Sequence, residues 1–110
     1  MKTEELKEIF KNNVEIVKHY GVKNQIPVWV EEMSELTKVL CKWFRLYDSL
    51  EGDIPLQLLV DMEEEITDVT VCLDQIKYAI NFTEDDLMKN YKYKVDRQHS
   101  RMEEEKDGRN

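Results

Sequence analysis

Turn-forming residues are scarce: the chain has three glycines and two prolines among 110 residues. So little turn material favours long helices joined by few loops over a sheet, which must turn after every short strand. The β-branched residues are scattered rather than alternating, so the strand period is missing as well. Only two cysteines occur, Cys41 and Cys72, without C-x-x-C spacing and without a histidine close by, which argues against a zinc site. Neither is flanked by a basic cluster that would make a thiolate nucleophile. Gly21, Gly52 and Gly108 are too far apart to build a P-loop or a dinucleotide fingerprint. The only histidines, His19 and His99, lie in no Glu-x-x-His pair, so a di-iron bundle is not expected.

Basic charge is also short, with 16 Lys and Arg against 24 acidic residues and a net charge of −8. A protein that grips DNA or RNA needs a net basic face, so nucleic acid is not an expected partner. An acidic protein can still bind an anion when a cation or a local basic patch mediates. No apolar run approaches a membrane span, and the start Met1-Lys2-Thr3-Glu4-Glu5 is too polar for a signal peptide. The expectation is a cytoplasmic protein with reduced thiols and no membrane partner.

What is present is helical periodicity. A first helix is expected from about Thr3, as N-cap, to Tyr20, with Leu6, Phe10 and Val17 on one face and Gly21 as terminator. A second, from about Ile26 to Tyr47, carries Trp29, Met33, Leu36, Leu40, Trp43 and Tyr47 at 4-3-4-3-4 spacing. After a loop from Asp48 to Ile54, Pro55 opens a third helix reaching about Asn81. Its stripe is Met62, Ile66, Val69, Leu73, Ile76 and Ile80. A fourth starts after Thr83, with Asp86 placed for a capping box and Met88, Tyr91, Val95 and Met102 on its inner face. The expected fold is all-α, a four- to five-helix bundle: one domain over residues 1–102 and a polar tail, 103–110, that frays. A domain this small often hides apolar surface by assembling, so a homodimer or homotetramer is expected.

The chemistry lies one row round from the apolar stripes. On the second helix that row is Val28, Glu32, Glu35, Val39; on the third it is Leu58, Asp61, Glu65, Asp68, Cys72. Residues three apart on a helix are neighbours, so Glu32 with Glu35, and Glu65 with Asp68, each present two carboxylates side by side. If the two helices pack antiparallel, the pairs face each other. Four carboxylates at close range repel, and burying them unpaired is costly. A divalent cation relieves that, and all-oxygen ligation suits Mg²⁺, with Mn²⁺ as a substitute. For a single E-x-x-E a solvated helix face is the better explanation; two such pairs beside the core on consecutive helices favour a metal. On the fourth helix Asn90, Lys94, Arg97 and Arg101 form a row that could grip phosphates, or simply balance surface charge.

The stretch Asn24-Gln25, then Glu31-Glu32-Met33-Ser34-Glu35-Leu36, then Glu64-Glu65-Ile66-Thr67-Asp68-Val69 resembles the signature of MazG-like nucleoside triphosphate pyrophosphohydrolases, an all-α superfamily marked by E-x-x-E followed by E-x-x-D. The chain is most similar to the short, single-domain phage and bacterial type, over about Gln25 to Arg101. The 29 residues from 36 to 64 between the two motifs are at or past the upper end of the usual gap. The resemblance implies Mg²⁺-dependent hydrolysis of a nucleotide between its α and β phosphates, releasing pyrophosphate and a monophosphate. It implies Glu32, Glu35, Glu65 and Asp68 as metal ligands, one of them also activating water. It implies Lys94, Arg97 and Arg101 as phosphate contacts, and Gln25 as a contact to base or sugar. Sites at the subunit interfaces of dimers or tetramers would follow too. The competing class is a non-catalytic helical oligomerisation or regulatory module of the same fold.

Overall fold

A computed structural model describes residues 1–49 and 51–108. Among the described residues there are four α-helices and no strand, and the all-α architecture expected from the sequence is what forms. The helices are α1 Thr3–Tyr20, α2 Val22–Leu46, α3 Leu56–Ile80 and α4 Glu84–Gly108, with a 3₁₀ turn at Tyr47–Ser49 after α2. No helix among the described residues is long and apolar enough to cross a membrane. The chain divides into two compact units: Met1–Ala79, which holds α1, α2 and nearly all of α3, and the segment from Ile80 onward, which holds α4.

Three helix boundaries differ from the sequence reading. Thr3 is the first helical residue rather than the cap; Lys2 takes the extended N-cap position and makes no side-chain capping bond. α2 starts at Val22, not near Ile26. Gly21, at φ 86°, reverses the chain in a conformation that a Cβ disfavours, so one residue ends α1 and opens α2. Its N–H donates to Val17 O at 2.8 Å, and its carbonyl accepts from Asn24 and Gln25 at 3.2 and 3.1 Å. Asn24 Nδ2 also donates back to Tyr20 O at 2.8 Å, covering an open carbonyl of α1. Pro27 therefore lies inside α2, where it forgoes one helical hydrogen bond. The polar stretch expected to fray from Glu103 is helical through Gly108. Its Glu and Lys residues are strong helix formers, and Lys106 pairs with Glu103 at 3.6 Å one turn back. At the start of α4 the Asp86 N–H donates to Thr83 Oγ1 at 3.1 Å, as the capping pattern predicts. Asn81, at φ 58°, closes α3, a left-handed position that Asn tolerates better than most residues.

Within the first unit α2 and α3 run antiparallel: Gln25 reaches Gln75, while seven residues further on Glu32 reaches Asp68. α1 runs parallel to α3, since Asn13 bonds Val71 and Lys18 sits over the Tyr78 ring. The core is small and comes from all three: Val17, Trp29, Leu58, Met62 and Cys72, with two buried amides, Gln25 and Gln75. The buried face of α3 is therefore the row Leu58, Met62, Cys72, Gln75. Ile66 and Ile80 of the expected stripe are 50% and 53% exposed. The acid-bearing row of α3 is the one turned toward α2.

Candidate metal centre

That rotation of α3 brings three carboxylates together. Glu32 from α2 and Glu65 and Asp68 from α3 each offer an oxygen, and these atoms all lie within 4.8 Å of one another. Glu32 and Glu65 are half-buried and Asp68 is exposed, so the cluster sits at the rim of the α2–α3 seam. The i, i+3 spacing of Glu65 and Asp68 sets them on one face of α3; the antiparallel register sets Glu32 against them.

The electrostatics of the cluster are unfavourable by themselves. Partial burial holds the Glu32 carboxyl above its ordinary range, and Asp68, Glu65 and Glu31 push it the same way. Glu65 is raised by burial first, then by Asp68, Glu35, Glu64 and Asp61. One oxygen of Glu65, Oε2, is buried and has no hydrogen-bond partner. A buried carboxylate oxygen without a donor is rare and costly unless something positive meets it. Cys72, one turn beyond Asp68, has its thiol pushed up by burial and by Glu32 and Asp68, so it stays protonated. The donors are thus carboxylate oxygens without a thiolate, a set that fits a hard divalent cation such as Mg²⁺ or Mn²⁺ better than zinc.

Glu35 does not join the three. Its Oε1 accepts from Lys38 Nζ at 3.1 Å, although the carboxylate is near enough to Glu65 to raise it. Beside the cluster an open hollow is lined by Val60, Glu63, Glu64, Thr67 and Asp68. Gln25, expected to reach a base or sugar, is instead buried, with Nε2 donating to Gln75 Oε1 at 3.1 Å. A buried polar group needs a partner, and this one is inside the protein. Lys94, Arg97 and Arg101 lie along α4 in the second unit, all exposed, with the Arg97 guanidinium 5.6 Å from the centre of the Tyr93 ring.

Asn13 and Gln75, which periodicity does not single out, join Trp29 of the expected stripe in one polar group. Gln75 Oε1 accepts from Trp29 Nε1 at 2.7 Å as well as from Gln25, and its Nε2 donates to Asn13 Oδ1 at 2.8 Å. Asn13 Nδ2 completes the chain at Val71 O, 3.1 Å away. The available signal was Trp29, whose indole N–H on a core stripe requires an acceptor. Compared with family models, with curated proteins and with solved structures, the chain has no significant match.

Proposed function

We propose that this protein is a Mg²⁺-dependent, MazG-like nucleoside triphosphate pyrophosphohydrolase that cleaves a nucleotide between its α and β phosphates. The observation that carries the reading is the meeting of Glu32, Glu65 and Asp68 across α2 and α3, with an orphaned Glu65 oxygen among them. These three hold the cation, for which Mn²⁺ can substitute. When bound, the cation supplies charge neutralisation at the phosphate oxygens, the largest need in phosphoryl transfer. Glu35 lies beside the three but outside them, and serves as the carboxylate that takes a proton from the attacking water. The resemblance implies Lys94, Arg97 and Arg101 of α4 as the phosphate donors, and their part in the reading rests on that resemblance. Gln25 takes no part in binding substrate in this reading, because its amide is committed to the core.

The proposal includes a homodimer or homotetramer working in the cytoplasm. An apolar hollow between α1 and α3, lined by Ile9, Phe10, Ile16, Ile66 and Val71 among others, supports assembly. The same hollow is what a non-catalytic oligomerisation module would display. The deciding experiment measures Mg²⁺-dependent pyrophosphate release from ribo- and deoxyribonucleoside triphosphates, with Asp68→Asn as control. Release that needs Mg²⁺ and Asp68 supports the enzyme. No release from any nucleotide leaves the module reading in its place.

A further inference from the structure

The geometry points to Gln75 as a positioning residue: it fixes the register of α2 on α3 in which Glu32 meets Glu65 and Asp68. The inference rests on those carboxylates holding a divalent cation. Gln75 is 4% exposed, and its one amide oxygen takes both donors that α2 sends into the seam, Gln25 Nε2 and Trp29 Nε1. Both bonds run directly from α2 to α3 inside the seam.

Their position relative to the acids is what matters. Gln25 opposes Gln75. Seven residues on along α2, Glu32 opposes Asp68, seven residues back along α3. Three more residues bring Glu35 near Glu65. The amide lock and the acid pair are thus the same register read two helical turns apart. Apolar contacts alone would not hold that register. The buried apolar residues of the two helices are Trp29, Leu58, Met62 and Cys72, and apolar contact is non-directional. A slip would, however, leave the Gln25 amide, the Gln75 oxygen and the Trp29 indole N–H without their partners, which the apolar interior penalises. The acid cluster by itself favours the register little, because the charges of Glu32, Glu65 and Asp68 repel one another until a cation arrives. A single buried polar contact that selects one register among near-equivalent packings is an attested use of such groups.

Asn13 gives the control. It bonds the other side of the Gln75 amide from α1, and its second bond goes to the Val71 carbonyl, so neither of these bonds runs to α2 or to the carboxylates. Asn13→Ala removes an anchor of the fold and leaves the α2–α3 lock intact; Gln75→Met keeps the volume and removes the lock. Mn²⁺ affinity is measured by calorimetry, and the α2–α3 register by nuclear Overhauser contacts of the Trp29 indole, on wild type and both variants. The expected result is a loss of about 10- to 100-fold in Mn²⁺ affinity in Gln75→Met with altered Trp29 contacts, the range seen when outer partners of metal ligands are removed. Asn13→Ala should be less stable yet bind Mn²⁺ within about twofold of wild type, as an anchor remote from the ligands should. Unchanged Trp29 contacts in Gln75→Met overturn the inference whether or not Mn²⁺ binds. Equal loss of affinity in both variants overturns it too, by showing general loosening. If wild type binds no Mn²⁺ while the Gln75→Met register shifts, the cation reading fails and the role of Gln75 in register stands.

Discussion

The indole of Trp29 on α2 donates a 2.7 Å hydrogen bond to the Gln75 side chain on α3, inside a seam whose rim carries Glu32, Glu65 and Asp68. On α2 this buried directional contact lies one turn before the Glu32 carboxylate.

Metal binding should be readable as stability. A cation that binds only the folded chain stabilises it, by about 2.7 kcal/mol at a hundredfold excess over Kd. Mg²⁺ or Mn²⁺ should raise the melting temperature of wild type and of Glu35→Gln, and should leave Glu32→Gln and Asp68→Asn unmoved. Thermal melts with and without the ion test this. A Glu35→Gln protein that has lost the increment would place Glu35 among the ligands.

Without metal, stability should fall as pH rises. Glu32 and Glu65 have folded-state values raised above the 4.5 of an ordinary carboxyl. The folded state therefore binds the proton more tightly than the unfolded chain, and ionising these groups costs stability. The penalty is absent below about pH 4.5 and grows from there until the raised folded values are passed. Glu32→Gln should flatten this part of the profile relative to wild type in metal-free melts. Parallel profiles would mean that the Glu32 carboxyl is not raised in the folded state.

The small core makes each buried side chain count. Leu58 is 3% exposed beside Met62. Leu58→Ala should cost about 2–5 kcal/mol, the range for emptying a buried leucine site. Trp29→Phe keeps most of the apolar area but drops one hydrogen bond, and should cost less, on the order of 1 kcal/mol for the bond itself. Denaturant titration of the two variants compares them; a larger loss for Trp29→Phe would show that the indole bond outweighs burial.

The basic row of α4 should affect substrate and not metal. Arg97→Ala should lower kcat/KM for a triphosphate by roughly 1.5–3 kcal/mol, the worth of a hydrogen bond to a charged group. Mn²⁺ affinity without nucleotide should not change. If the row acts on a neighbouring subunit's site, mixing Arg97→Ala with Asp68→Asn protein restores part of the activity. Wild-type kinetics for Arg97→Ala at low ionic strength, where such contacts are least screened, would reduce the row to surface charge balance.

Much of this protein was legible in its sequence. The 4-3-4-3-4 spacing of apolar residues and the shortage of Gly and Pro determined that the chain is helical. The E-x-x-E and E-x-x-D pairs marked the faces on which carboxylates would lie together, because i, i+3 neighbours are set by helix geometry alone. Tertiary structure decided which rows face inward. Adjacent rows of one helix differ by a fraction of a turn, and α3 turned the Leu58, Met62, Cys72, Gln75 row toward α2 while Ile66 and Ile80 stayed half exposed. Periodicity counts a glutamine as solvent-facing, so it could not show Gln25 and Gln75 buried. A buried amide is stable only when a partner on another helix satisfies it, and that pairing exists only after the helices have met. The same holds for the acids: one helix sets Glu65 beside Asp68, but only the register of a second helix brings in Glu32 and leaves Glu35 to Lys38.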